Sequence, residues 1–483
     1  MNFRFIFKTA GYALCVGAFS MLPSLFIAQF THDGTTMTFF ITLLCFLLPG
    51  LLCSRISMPS DCHVQLRDGY AAVACCWIFL SLLGALPYYL SGAAGNYWNA
   101  LFETVSGLTT TGASIFSDIE ALPKSLLLWR SLSQFLGGMG VLVLMLALLP
   151  QIGAGGNFLM RAESPGPLKG KLVPKISQNA KILYRIYLLL FAAETICLRV
   201  AGMGWFDSIC HAMATVSTGG FSTKNASISA FQSLGIDWII IAFMVLSGIN
   251  FSLLFLFSQR NFAAVRKDEE LRLYLIAIAC ASLLLIVDLV AQGKFPASFH
   301  LFTDAVFQVT TLITSTGFAT ADYMLWPTLT QCMLLALMLM GGCAGSTAGG
   351  VKCARILLLH KLLRRSVEQI IHPRQVHVIT INGRRADPAA VNAACVFFYA
   401  YCALLLLGTL VLSLDNIGFA ASFSAALTSL SNVGPGLDQL GPSGNFSILS
   451  SLSKATLSAL MLTGRLEILP VLVLLSPGSR VRS

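Results

Sequence analysis

Four short phrases rich in hydroxyls and glycine recur along the chain: TTTGAS at 109–114, STGGFS at 217–222, STGFA at 315–319 and SNVGPG at 431–436. Aligned on Gly112, Gly220, Gly317 and Gly434, they share a hydroxyl residue three positions earlier, at Thr109, Ser217, Thr314 and Ser431. The next column holds Thr110, Thr218, Ser315 and Asn432, polar every time. Thirteen positions before the glycine stand Asn99, Asp207, Asp304 and Ala421, so three copies offer an expected helix N-cap. Several columns in register mark an internal fourfold repeat.

Such a phrase can present main-chain carbonyls to a cation. Each follows a short amphipathic segment, such as NALFETVSGLT or DAVFQVTTLIT. These are too short to cross a bilayer and suit half-membrane re-entrant helices. A half-helix that begins at the outer surface turns its carbonyl end to the membrane centre, where a cation is favoured. Irregular backbone at that depth must line a cavity or be buried in protein. Four such loops around one axis form a ring of carbonyl oxygens, the device that replaces a cation's hydration shell. Glycine belongs there because inward-facing carbonyls need backbone angles that a Cβ resists. The competing reading, plain turns between membrane helices, leaves the aligned columns unexplained.

The elements that must position these phrases are membrane helices. Of 483 residues, 56% are hydrophobic and only 11% charged, with a mean hydropathy of +0.77. Soluble domains carry about 25% charged residues. Apolar runs lie near 5–30, 36–53, 72–91, 126–150, 182–202, 237–258, 271–291, 327–345, 389–414 and 450–476. Each is long enough for a span of about 20 residues. The first follows Arg4 and Lys8 like a signal peptide, but its length and lack of a cleavage motif mark it as a retained helix. The expected fold is an all-α polytopic membrane protein.

A formal net charge of +10 invites a nucleic-acid reading, but under a ten-span arrangement 24 of the 31 basic residues fall on one side. They include Arg55, Arg67, Arg161, Lys169, Lys175, Arg260, Lys267, the group from Lys352 to Arg385, and Arg480 and Arg482. Lys124, Arg130, Arg199, Lys224, Lys294 and Lys454 fall on the other side. This is the positive-inside pattern, placing both termini and the basic loops in the cytoplasm. The excess is topological, with anionic lipid as an additional contact and no nucleic-acid partner. The fourteen cysteines, without CxxC spacing, read as small buried hydrophobes. No HExxH, GxSxG, P-loop or GxGxxG occurs, so the expectation is not an enzyme and no cofactor in this chain.

Nearly the whole chain resembles the TrkH/TrkG potassium-uptake subunits of the Trk/Ktr/HKT superfamily. The resemblance rests on SGLTTTGAS (106–114), QFLGGMGVLVL (134–144), PGPLK (165–169), GGFST (219–223), GGCAGST (341–347), SNVGPGL (431–437) and GRLE (464–467). It implies two extra N-terminal helices, 1–68, then four helix–pore loop–helix units at 69–160, 161–268, 269–372 and 373–483. It implies that a potassium filter is made by the carbonyls of Thr110, Thr111 and Gly112; Thr218, Gly219 and Gly220; Ser315, Thr316 and Gly317; and Asn432, Val433 and Gly434. One glycine per strand in the aligned column, with a second in one strand alone at Gly219, would loosen discrimination of K⁺ from Na⁺. It also implies a homodimer in the bacterial inner membrane, docked on a cytosolic TrkA-like ring that binds NAD(H) or ATP/ADP. Ala348 stands where glycine is frequent in the family, and Ser164 where Met is expected. The alternatives are a weakly selective K⁺/Na⁺ pore and an ion-coupled secondary transporter, which would show inverted repeats. Whether flux is channel-like or proton symport stays open.

The expected gating loop, GGCAGSTAGG at 341–350, has five glycines in ten residues: Gly341, Gly342, Gly345, Gly349 and Gly350. With Ser346, Thr347 and Lys352 it either breaks the helix as a movable plug or packs helices closely through a GxxxG. The resemblance favours the plug. Arg465 lies in an apolar run, where a charge costs roughly 3 kcal/mol. Pairing with Glu467 competes with a role as a pore charge below the filter, but i,i+2 spacing turns those side chains apart. Glu103 is read as an anchor of the first pore helix or a charge at the outer mouth. Glu194 and Asp288 are given no transport role.

Overall fold

Helices carry the structure, and the chain's strands, among the described residues, are one small hairpin. The computed structural model describes residues 1–57, 65–140, 176–292, 298–375 and 377–475. The PGPLK segment, Ser164, and the basic residues Arg161, Lys169, Lys171, Lys175, Lys294, Arg480 and Arg482 lie outside them. Helix α1 (Phe3–Ser20) continues into α2 (Leu22–Thr31), and α3 (Thr36–Ser54) returns. Helices α1 and α3 touch at small residues: a Cβ on Gly11 would collide with Ser54 and Cys53.

The same order then recurs four times. Unit 1 has α4 (Leu66–Gly84), α5 (Leu86–Leu90), α6 (Tyr97–Leu108) and α7 (Lys124–Met139). Unit 2 has α8 (Ile176–Val200), α9 (Trp205–Val216), α10 (Leu234–Ser247), α11 (Phe251–Ser258) and α12 (Phe262–Lys267). Unit 3 has α13 (Glu269–Ala291), α14 (Phe299–Ile313), α15 (Thr328–Met340) and α16 (Cys353–Ile371). The hairpin of β1 (Thr380–Ile381) and β2 (Arg384–Arg385) follows, with Thr380 opposite Arg385. Unit 4 has α17 (Pro388–Leu412), α18 (Phe419–Ser431), α19 (Ser451–Arg465) and α20 (Leu469–Leu475).

The short helices α6, α9, α14 and α18 have 12, 12, 15 and 13 residues. At 1.5 Å per residue they reach about 18–22 Å, less than the roughly 30 Å of a hydrocarbon core. Their caps are Asn96, Gly204, Ser298 and Gly418, not Asn99, Asp207, Asp304 and Ala421. The expected cap column therefore lies inside the helices. The Asn96 and Ser298 side chains take the cap bonds, from the amides of Asn99 and Leu301.

The second long helix of units 2, 3 and 4 is interrupted among the described residues. Helix α7 stops at Gly140, whose φ is 83°. Helices α10 and α11 meet at a bend of 100°. Residues 341–352 part α15 from α16, and Glu467 and Ile468, with φ of 56° and 66°, part α19 from α20. By length and composition, five helical stretches among the described residues can cross a membrane, or up to six with the bent pair. The ten apolar runs exceed this number for three reasons: some continue through a break in the backbone, the run at 126–150 extends past the described residues, and the run at 182–202 lies in α8, which carries Lys181, Arg185, Glu194 and Arg199. Outward faces carry Phe19, Leu52, Leu189, Leu284, Val287 and Leu410 in the open, as lipid contact requires. Cys197, Cys280 and Cys332 share that exposed surface, so they are not buried as expected. Arg130, expected on an outer loop, and Arg355, expected on a basic one, are both buried in the interior.

Candidate ion pathway

All four short helices end in one hydrogen-bonded motif. The amides of Thr111, Gly219, Thr316 and Val433 reach back to the carbonyls of Ser106, Ala214, Thr311 and Thr428 at 2.8, 2.7, 2.8 and 2.9 Å. The amides of Thr110, Thr218, Ser315 and Asn432 bond Gly107, Thr215, Leu312 and Ser429 at 3.0, 2.9, 3.2 and 3.3 Å. This is the Schellman C-cap, whose left-handed residue is usually glycine. Here it is Thr110, Thr218, Ser315 and Asn432, with φ of 56°, 54°, 54° and 55°. Such residues cost about 1–3 kcal/mol each and persist where the surroundings hold them. Sequence reading assigned the unusual angle to the glycine alone. Gly112, Gly220, Gly317 and Gly434 do take it, at 84°, 76°, 85° and 109°.

The four glycines close a ring. A Cβ on Gly112 would collide with the carbonyl oxygen of Gly219. In the same way Gly220 faces the Thr316 carbonyl, Gly317 the Val433 carbonyl, and Gly434 the Thr111 carbonyl. Each unit thus abuts the next, and the fourth returns to the first. All twelve residues of the expected filter lie in these strands. Side chains support them from behind. The Gln134 amide donates to Gly219 O and accepts from Phe221 N at 3.1 Å. Asn432 donates to Thr111 Oγ1 at 3.0 Å and to Met461 O at 2.9 Å. Gln134 was not singled out from sequence, because its partners are 85 and 87 residues away.

The glycine-rich segment 341–352 lies at the carbonyl ends of the short helices. Thr347 Oγ1 donates to Val216 O at 3.1 Å and Ser247 O at 3.3 Å. Gly349 N donates to Ser315 Oγ at 2.6 Å, and Gly350 N to Ser431 O at 2.9 Å. The loop's donors therefore meet the negative helix ends that would otherwise favour a cation. Gly341 and Gly345, the GxxxG pair, both have positive φ and lie outside any helix. The reading of this stretch as helix–helix packing is thereby overturned. Glu270, 1% exposed, clips the segment: its Oε1 accepts from Ala344 N at 2.6 Å and Ala354 N at 3.0 Å. Sequence reading missed Glu270 because it sits at the start of a different helix.

Residues 35–481 match the family model described as TrkH, a cation transport protein. The chain belongs to the TrkH family. It is similar to the Trk system potassium uptake protein TrkH of Halomonas elongata, 36% identical over 99% of both chains. It is also similar to TrkG of Escherichia coli, 34% identical over 98% of both. The crystal structure of the potassium transporter TrkH from Vibrio parahaemolyticus matches over 100% of both chains, with a TM-score of 0.88 and 33% identity. The TrkH fold makes this an all-α, multi-pass membrane protein with repeated units.

In this TrkH-family chain the intramembrane charges fall into separate sets. Arg465 Nη1 donates to Thr347 O at 2.9 Å, and Nη2 to Gly137 O at 2.6 Å and to Gly138 O. Glu467 instead pairs with Lys352, at 3.1 Å, and Arg355. The local Arg465–Glu467 pair is therefore absent. Glu103 is a buried anchor, bonded to Arg130 Nε at 2.9 Å, so it is not an outer-mouth charge. Glu194 is fully buried on α8, while Asp288 accepts from Thr330 Oγ1 at 2.7 Å and Gln292 at 3.2 Å. In the loops that follow the glycines of units 1 and 2, Asn225 donates to Asp118 at 2.9 Å. That bond holds the Asp118 carboxyl below its ordinary range, with the Ala121 and Glu120 amides adding to it against slight desolvation.

Proposed function

We propose that this protein takes up potassium through the ring of Gly112, Gly220, Gly317 and Gly434. The filter is the carbonyls of Thr110–Gly112, Thr218–Gly220, Ser315–Gly317 and Asn432–Gly434. The observation that carries the reading is the closed ring, in which every glycine's Cβ direction is filled by the next unit's carbonyl oxygen. Four strands at the carbonyl ends of four half-membrane helices suit a partly dehydrated monovalent cation. Residues 341–352 act as the gate, because their donors cap the helix ends that attract the ion. Arg465 adds a fixed positive charge at the loop and raises the barrier while the loop stays in place.

The potassium uptake named for its relatives supports K⁺ as the cargo. The Trk system in the relatives' names supports a soluble TrkA-like regulatory partner; a cytosolic ring with its nucleotide and a homodimer in the bacterial inner membrane complete the proposed assembly. The basic loops would face that ring.

Growth rescue of a bacterium lacking its potassium-uptake systems, on limiting K⁺, tests the reading. Labelled Rb⁺ and Na⁺ uptake are followed for wild type and Gly317→Ser, with a TrkA-like partner supplied. Rescue by wild type, with a changed Rb⁺/Na⁺ preference in the variant, is expected. An expressed wild type that carries neither ion would favour a solute transporter instead.

A further inference from the structure

Two residues beyond each glycine of the ring, the main-chain carbonyl is held by a donor from the preceding unit. Ser114 O accepts from Phe446 N of unit 4 at 2.9 Å. Ser222 O accepts from Arg130 Nη1 of unit 1 at 3.0 Å. Ala319 O accepts from Ile228 N and Ser229 N of unit 2 at 3.2 and 3.3 Å. Gly436 O accepts from the Tyr323 hydroxyl of unit 3 at 2.7 Å. These bonds form a collar just past the glycine ring, and it closes in the same cyclic order.

One strut of the collar is charged. Arg130 and Glu103 are 1% and 0% exposed, with Nε and Oε1 2.9 Å apart. The same guanidinium reaches Ser114 Oγ at 3.3 Å and lies 4.1 Å over the Phe221 ring. Glu103 also accepts from Ser114 Oγ at 3.1 Å and from Ile115 N at 3.0 Å. A single buried pair therefore holds the exits of strands 1 and 2 together. The other units grade downward at the position of Glu103, nine residues before the glycine. His211 bonds Ser222 Oγ at 2.9 Å, Gln308 bonds Ala321 O at 3.2 Å, and Ala425 has no polar side chain to offer.

We infer that the Glu103–Arg130 pair is a specificity-determining strut, which fixes the collar between strands 1 and 2 and so sets how strongly K⁺ is preferred over Na⁺. The inference rests on the proposed carbonyl filter. A smaller ion is best held when the strands draw inward. Neutral hydrogen bonds yield to such a shift at about 1 kcal/mol each, whereas a buried charge-assisted fork resists it more strongly. The fork must be arginine, because an ammonium cannot hold the carboxylate and the Ser222 carbonyl in one fixed plane. Both residues act through the backbone they position, not by touching the ion.

Rb⁺ and Na⁺ uptake are measured in the rescued cells for wild type, Arg130→Lys, Ser114→Ala and Tyr323→Phe, with membrane abundance followed by immunoblot. All three variants leave the buried charges paired. Arg130→Lys is expected to lower the Rb⁺/Na⁺ ratio roughly tenfold, equal to about 1.4 kcal/mol of discrimination. Ser114→Ala lowers it less, and Tyr323→Phe, on a neutral strut, least. A wild-type ratio in Arg130→Lys and Ser114→Ala would overturn the inference, as would an equal fall in Tyr323→Phe. If Arg130→Lys does not reach the membrane, Ser114→Ala against Tyr323→Phe decides by the same criterion. A wild type that carries neither cation would sink the filter reading itself, a separate result.

Discussion

Arg465 and Thr347, 118 residues apart, are joined by a 2.9 Å hydrogen bond from the guanidinium to the main-chain carbonyl. The same side chain holds Gly137 and Gly138, so it ties the end of α19 to the glycine loop and to α7. Arg465→Ala frees three carbonyls and removes a positive charge from the pathway. Rb⁺ uptake or leak without the cytosolic partner is expected to rise. Unchanged flux and unchanged gating would remove Arg465 from the gate.

Gly220 has a φ of 76° and faces the Thr316 carbonyl oxygen where a Cβ would stand. Gly220→Ala is expected to lower Rb⁺ uptake by roughly tenfold or more, as for a loss of about 1.4 kcal/mol at the ring. Gly95 also has a positive φ, 70°, but nothing within 4 Å of its Cβ position. Gly95→Ala therefore carries the backbone strain without the collision, and near-normal uptake is expected. Equal losses in the two variants would show that strain, not the ring, is responsible.

The Glu270 carboxylate bridges the loop from Ala344 to Ala354. Its neighbours Asp268 and Glu269 hold Asn382 in the β1–β2 turn at 2.8 and 2.9 Å. Glu270→Ala leaves two buried amides without their acceptor, at about 1–3 kcal/mol each. The loop should open more often, seen as greater single-channel open probability or faster Rb⁺ leak. Glu270→Gln keeps an acceptor oxygen and should fall between. Identical flux in all three proteins would exclude the clip.

Glu467 is the shared partner of Lys352 and Arg355, with all three side chains largely buried. Glu467→Gln leaves two cations without their counter-charge, a loss of about 3–5 kcal/mol for a broken buried pair. A clear fall in thermal stability of the detergent-solubilised protein is expected. A Tm within error of wild type would show that the pair is not needed for folding.

Asp118 is exposed, and the Asn225 bond lowers its carboxyl in the folded protein. A lowered folded value means that its stabilisation is present above the unfolded value of about 3.9 and disappears as pH falls through the folded one. The Tm difference between wild type and Asp118→Ala should thus be constant near neutral pH and shrink in acid. A difference that grows on acidification would reverse the assigned sign.

The membrane class, the repeat and the glycine column were legible in the sequence because composition and spacing are properties of a line. Gly112, Gly220, Gly317 and Gly434 needed only alignment to be found, and the special character of 341–352 needed only five glycines in ten residues. Helix limits were less legible. The −13 column follows the helix register, and its Asn and Asp residues imitate caps that lie upstream. Hydropathy likewise runs unbroken across backbone breaks such as that at Glu467 and Ile468. Tertiary structure alone decided which groups meet: Gln134 with Gly219, Arg130 with Ser222, Glu270 with Ala344, Glu467 with Lys352. These partners stand 74 to 115 residues apart. No local periodicity brings them together: closure of the four units around one axis joins Gln134, Arg130 and Glu467 to neighbouring units, and packing of α13 against its own unit's loop brings Glu270 to Ala344, because each buried carbonyl or charge must find a partner.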